Sequence, residues 1–347
     1  MTPESMSAMT FQAKPRCSRL GRVLAVAAGV LLLLSMGSGI AAAQDSTLIV
    51  LRPVPAKTKK GEKHVKLITT PLLQSDVAEI KVDGKPVTIT GWSPVLKGDF
   101  KLQLMVLLDS MEQLGINEQF DDMRKLFNGL PPNVSIGVGY LLQGHVRITQ
   151  PFTYDRKLAG DALVEPQETT LAKNDNGSPY ACLNDLSNHW PDPDPKTLRA
   201  VLMFTDGVNR YNSFQGNDQD DPDVLSSAAL LVRAGIMPFP FFYLDPVTPQ
   251  NRSEGGQLDG QTNFDLLAST TQGQALYDGQ YAPATFDPLL NRFYSVLNSM
   301  AVATVSIKGS GFKRIDVKSS RDDLEVRAPD GVTVGNVLKT SPEKGKK

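Results

Sequence analysis

A doubly wound α/β fold with a mostly parallel sheet, flanked by a small antiparallel β segment from both termini, is predicted by three features of this 347-residue sequence. First, residues 102–108 and 200–205 are short runs dominated by apolar side chains, and each stops abruptly on an acid, Asp109 and Asp206. Such a run reads as a strand buried on both faces, the habit of parallel sheets covered by helices. Second, strand-like and helix-like segments alternate between residues 100 and 300, which implies parallel strands joined by crossover helices. Third, the segments on either side alternate apolar and polar residues around glycine-containing turns, the pattern of antiparallel strands.

The elements follow in order. Leu48, Ile49, Val50 and Leu51 make a strand patch before a proline- and lysine-rich link. Ile80 and Val82 are separated from Val87 and Ile89 by Asp83-Gly84-Lys85, a strong hairpin signal. Ile116, Phe120, Met123, Phe127 and Leu130 recur at steps of four and three, one face of an amphipathic helix that Pro131 and Pro132 stop. Residues 134–142 and 145–152 read as strands joined by a turn at Gln143 and Gly144. A short helix over 181–190 ends in a Pro/Asp run, and the second acid-terminated strand follows. Residues 224–234 are helical with Gly235 as cap. Residues 239–244 read as a strand, although Pro238 and Pro240 fit an interior strand poorly. Helices over 264–271 and 288–300, with a short strand near Ala275, close the span. Beyond it, 302–307 leads through Gly309 and Gly311 to Ile315 and Val317, then to Leu324 and Val326.

Residues 1–43 are read as a secretory signal. Lys14, Arg16, Arg19 and Arg22 precede an uncharged apolar stretch over 23–40, and Ala41, Ala42 and Ala43 offer a cleavage site. An uncleaved anchor is the alternative, since about 18–21 apolar residues just span a bilayer. The reading places the chain outside the cell or in the periplasm and envelope, with no membrane contact after cleavage. Cleavage removes four Lys/Arg and one Glu, taking the net charge from −1 to −4. It also removes Cys17, so Cys182 is left without a disulfide partner and reads as a small buried hydrophobe. The expected organisation is 44–99 as an N-terminal β segment and linker, 100–300 as the principal domain, 301–330 as a C-terminal β segment and 331–347 as a tail.

The strand ending at Asp109, the segment 122–132 (Asp-Met-Arg-Lys-Leu-Phe-Asn-Gly-Leu-Pro-Pro), the segment 178–186 (Ser-Pro-Tyr-Ala-Cys-Leu-Asn-Asp-Leu) and the turn Thr205-Asp206-Gly207 resemble a von Willebrand factor A (vWA) domain, as found in secreted bacterial VWFA-related proteins. The resemblance covers about 200 residues, and the β tail over 312–331 more loosely. It implies a Rossmann-like sheet with the strands ending at Asp109 and Asp206 side by side. It also implies a metal-ion-dependent adhesion site built from Asp-x-Ser-x-Ser, a distant Thr and a distant Asp. Mg2+ (or Mn2+/Ca2+) takes about six oxygen ligands there, and an acidic group of the partner fills an open position.

This sequence departs from that pattern. Asp109, Ser178 and Asp206 match in kind, but Met111 and Gln113 stand where the two serines belong. A thioether is too soft for a hard cation. Ser110 and Gln113 can instead form a capping box. The site is therefore expected to be degenerate, with a metal-free form favoured and binding of Mg2+ (or Mn2+/Ca2+) through Asp109, Ser178 and Asp206 the alternative. Ser110, Glu112, Gln113 and Asp221 are expected on the same ligand-binding face. The acidic loop 217–223 reads as a solvated cap for the next helix, through Asp221 or Asp223.

Other function classes lose support. There is no basic excess for nucleic acid and no phosphate-cradling glycine loop. His64, His145 and His189 match no zinc motif, and no Gly-x-Ser-x-Gly elbow is present. With no nucleophile, base or metal triad to name, the chain reads as a non-enzymatic exported module binding a protein or surface ligand. The alternatives are a metal-dependent hydrolase of the cell envelope and an architectural subunit of an envelope complex.

Overall fold

The computed structural model describes residues 46–56, 68–110, 115–165, 177–194, 196–209, 221–244, 254–279 and 283–335, with 254–258 described by backbone alone. The signal segment and the Ser110–Gln113 capping box lie outside, or partly outside, these residues.

The central sheet has five strands: β5 (Leu102–Asp109), β6 (Val134–Leu142), β7 (His145–Thr153), β8 (Leu198–Thr205) and β9 (Ile236–Phe242). Their order is β7-β6-β5-β8-β9. Three of the four pairings are parallel, and only β6 with β7 is antiparallel. From β5 the chain first builds outward through β6 and β7, then returns to the opposite side of β5 to lay down β8 and β9. The two strands ending on acids are thus neighbours at the topological switch point, where open α/β sheets place ligands.

Alternate residues of β5 feed two cores. Leu102, Leu104, Val106 and Leu108 pack with α1 (Phe120–Gly129), α2 (Arg156–Asp161) and α6 (Asp287–Ser299). Met105 and Leu107 pack with α3 (Pro179–Asn188), α4 (Pro222–Ala234) and α5 (Glu254–Thr270). Helices cover both faces, as expected for a doubly wound sheet. The predicted stripe on α1 is buried throughout, from Ile116 to Leu130. Gln143 and Gly144 both take positive φ, 51° and 78°, in the two-residue turn between β6 and β7.

The flanking β material is larger than a small segment. It comprises two four-stranded antiparallel sheets. One is β12-β1-β10-β4, from β12 (Leu324–Arg327), β1 (Ser46–Pro55), β10 (Ala301–Ser306) and β4 (Ile89–Pro94). The other is β13-β11-β2-β3, from β13 (Gly331–Val334), β11 (Gly311–Ser319), β2 (Val77–Val82) and β3 (Lys85–Pro86). Both contribute to one apolar core, including Ile49, Leu51, Ile80, Val305, Ile315 and Val326.

Four expectations are corrected here. Gly331–Val334 is not tail but a strand paired with β11. The Asp83-Gly84 hairpin holds only two pairs, Lys81 with Pro86 and Val82 with Lys85, before Ile89 leaves to join β10. The strand near Ala275 is a single bridge between Phe241 and Leu276. β9 starts at Ile236, so Pro238 and Pro240 lie within it. Their carbonyls accept from Gln274 and Leu276. Their backbone polar atoms therefore face the outer edge of the sheet, where no ladder N–H towards β8 is lost.

Candidate functional site

The carboxyl edge of the parallel sheet gathers most of the predicted residues. Asp109 ends β5 and is 5% exposed; Asp206 follows β8 and is 1% exposed. Between them stands Thr205, fully buried at the end of β8. Its hydroxyl donates to Asp109 Oδ2 at 2.5 Å and accepts from the Gly207 N–H at 3.3 Å. Asp206 Oδ1 accepts from the Val208 N–H at 2.9 Å. Ser110 is buried in the turn after β5, and its N–H donates to the Leu141 carbonyl at 3.2 Å. Glu112 and Gln113 lie outside the described residues.

Ser178 is the N-cap of α3. Its hydroxyl accepts from the Tyr180 N–H at 3.2 Å, and it makes no hydrogen bond to either aspartate. Pro179 at the first helical position completes a standard start. The link back to the strand ends runs through Tyr180, whose hydroxyl donates to the Gly207 carbonyl at 2.8 Å. Asn263 Nδ2 on α5 donates to the same carbonyl at 3.3 Å. Burial pushes the Tyr180 pKa well up, and the charges of Asp206 and Asp221 push it further. The phenol therefore stays neutral and keeps its proton to donate.

The turn after β8 is built for close approach. Gly207 has φ +75°, and a Cβ there would stand 2.5 Å from the Phe264 ring. A Cβ on Gly260 of α5 would stand 2.0 Å from the Asp206 carbonyl. Only two glycines let α5 lie against this turn.

Asp221 is the N-cap of α4, accepting from the Asp223 N–H at 2.8 Å. Asn209 bridges the pair, its Nδ2 donating to Asp221 Oδ2 at 2.9 Å and Asp223 Oδ2 at 2.8 Å. Both acids are half-buried. Thr205, Tyr180, Asn209 and Asn263 were not singled out by sequence. Thr205 and Tyr180 lie inside the motifs that were, but their partners are tens of residues away along the chain.

The oxygens expected to ligate a divalent cation already take hydrogen bonds from the protein. Mg2+ needs several oxygens free to converge. Here one oxygen of Asp109 holds a hydroxyl, one of Asp206 holds an amide, and the Ser178 hydroxyl holds another amide. In the sequence, Met111 stands where the adhesion-site pattern has a serine, and a thioether is too soft for a hard cation. Among the described residues, no group of three or more His, Cys, Asp or Glu side chains is arranged to hold a metal.

Parallel strands, helices on both faces and acids at two neighbouring strand ends define a doubly wound α/β module carrying extra antiparallel sheets. Solved structures similar to this chain include an aerotolerance-related membrane protein from Bacteroides fragilis carrying multiple mutations to serine. That likeness has 16% identity and a TM-score of 0.40, covering 57% of this chain and 98% of the other. They also include the SpRpn10 VWA domain, at 11% identity and a TM-score of 0.38, covering 55% of this chain and 95% of that one. Proximal thread matrix protein 1 of the mussel byssus follows at 13% identity and a TM-score of 0.36, with 60% and 49% covered. No family model and no curated protein matches the sequence. Among the described residues, no helix is long and apolar enough to cross a membrane.

Proposed function

We propose that this chain is an exported interaction module that binds a protein or surface ligand at the carboxyl edge of its parallel sheet. The face is centred on Asp109, Ser178 and Asp206, with Ser110, Glu112, Gln113 and Asp221 around them. It works without a divalent cation, as a degenerate form of the adhesion site. One observation carries this reading: the oxygens of the strand-end acids hold protein hydroxyl and amide donors at the switch point. Their charge is used to order the rim, beside which the half-buried Asp221 caps α4. Export rests on the basic, apolar and small-residue sequence of the first 43 residues.

The test has two arms. Thermal unfolding after EDTA treatment, with and without millimolar Mg2+, Mn2+ or Ca2+, is expected to be unchanged, because a ligand bound only by the native state raises stability by mass action. A saturable rise that disappears in Asp206→Ala would sink the metal-free reading. Crosslinking in the native envelope is expected to capture a partner with wild type and to lose it with Asp221→Lys. Capture unaffected by that change moves the binding face elsewhere.

A further inference from the structure

We propose that the cleft between β11 and β12, at the C-terminal end of α5, binds a small oxyanion, a carboxylate or phosphate group, against Arg327 with Arg52 behind it. This is separate from the sheet-edge face and stands on its own observations. The antiparallel register of β1 and β12 sets Arg52 directly opposite Arg327. Like charges directly opposite one another in a sheet are destabilising. Arg52 is also only 4% exposed.

A guanidinium carries five N–H donors. That of Arg52 makes one hydrogen bond, from Nη1 to the neutral Gln274 Oε1 at 3.0 Å, and its Nε is enclosed with no acceptor. The neighbouring acid, Glu325, is bonded to Arg327 Nε at 3.1 Å. Burial lowers the Arg52 pKa to about 10, and the repulsion of Arg327 outweighs the attraction of Glu325. The group remains charged at neutral pH, so one buried positive charge is left uncompensated. A buried cation in that position is costly unless paired.

Beside it lies a cleft of about 320 Å3, lined by Arg327, Glu325, Ser269, Asp316, Val317 and Val326 among others. Glu325 is already engaged by Arg327, and Asp316 is exposed to solvent. An oxyanion seated on Arg327 would offset the cross-strand repulsion, and a planar carboxylate or a phosphate matches the guanidinium fork.

The experiment is thermal unfolding at constant ionic strength, replacing sodium chloride stepwise with sodium phosphate or sodium acetate. Wild type is expected to show a saturable rise in Tm, about 3 °C at tenfold above the dissociation constant. The more effective salt identifies the headgroup. Arg327→Gln is expected to lose the response while matching or exceeding wild-type Tm in chloride, because the repulsion is relieved. Arg52→Met is expected to lose the response as well. No rise beyond chloride in wild type, or an equal rise in Arg327→Gln, overturns the proposal.

Discussion

The Thr205 hydroxyl donates to Asp109 Oδ2 at 2.5 Å, tying together the ends of two neighbouring parallel strands at the switch point of the sheet. A carboxylate in this position is 5% exposed, and a hydrogen bond to a charged acceptor carries more weight than a neutral one. The hydroxyl thus supplies part of what solvent would otherwise give to Asp109.

Replacing Thr205 by Val keeps the shape and removes the donor. We expect Thr205→Val to destabilise the protein by about 2 kcal/mol, in the range for charged hydrogen bonds. Thr205→Ser, which keeps the hydroxyl and loses one methyl, is expected to cost about 1 kcal/mol. Urea unfolding midpoints rank the two variants, and a Val variant as stable as the Ser variant would show that the bond contributes nothing.

Gly260, packed against the Asp206 carbonyl, and Gly235, the C-cap of α4, separate two kinds of strain. At Gly260 any side chain meets the Asp206 carbonyl at 2.0 Å, and backbone cannot swing aside as a flexible side chain can. Gly260→Ala is expected to cost about 3 kcal/mol or more through overpacking. Gly235, the left-handed cap of α4, has φ +66° and nothing within 4 Å of an added Cβ. Gly235→Ala therefore carries only the conformational cost, about 1 kcal/mol. Equal unfolding midpoints for the two would contradict the close approach of α5 to the turn after β8.

Asp185, near the C-terminal end of α3, predicts an acid limb to the stability curve. Burial raises its pKa, but the Val146 N–H and the imidazoles of His145 and His189 together outweigh that and hold it below the usual carboxylate value. The Val146 N–H lies 3.0 Å from Oδ2, and His189 Nδ1 lies 3.0 Å from Oδ1. A depressed folded pKa means the stabilisation is present above the unfolded value, about 3.9, and is lost as pH falls through the folded value. Asp185→Asn, which keeps an oxygen for Val146, is expected to flatten the fall in stability below about pH 4. Urea midpoints between pH 2 and pH 6 measure it; parallel curves for wild type and variant would refute the linkage.

The parts of the fold that could be read from sequence are those with a strong local pattern. β5 and β8 are buried on both faces, so beyond Gln103 and Arg199 their runs stay apolar almost to the strand end, and Asp109 and Asp206 mark that end. The α1 stripe and the Gly235 cap are equally local. What escaped was set by distant partners. α2 spans only six residues, too short for a periodic signal, and is held by the Asp155 cap and by Arg156, which donates to the Val134 and Pro131 carbonyls at 2.8 Å. β13 has four residues and gains its register from β11. Thr205 reads in sequence as one more β-branched strand residue; its role depends on an acid 96 positions away. Ser178 was legible only as a hydroxyl matching the adhesion-site pattern; it stands at the start of α3, where its capping bond uses that hydroxyl locally.

Tyr180 and Asn263 make a final prediction because they share one acceptor. Both donate to the Gly207 carbonyl, from α3 and α5 respectively, at 2.8 Å and 3.3 Å. That carbonyl belongs to a turn with φ +75°, so its orientation is set by these two donors and by the packing of Gly207 against Phe264. Removing one donor leaves the other able to shorten its bond. Removing both leaves a buried carbonyl short of partners, which costs about 1–3 kcal/mol. We therefore expect Tyr180→Phe alone to cost about 1 kcal/mol. Asn263→Leu alone should cost a similar amount or less, given its longer bond. The double variant is expected to lose more than the sum of the two, with a coupling of about 0.5–1 kcal/mol. Because the Tyr180 hydroxyl is held neutral by burial and by Asp206 and Asp221, the coupling should be the same at pH 6 and pH 9. A double-mutant cycle from urea unfolding at both pH values measures it, and strict additivity would show that Tyr180 and Asn263 act on the turn independently.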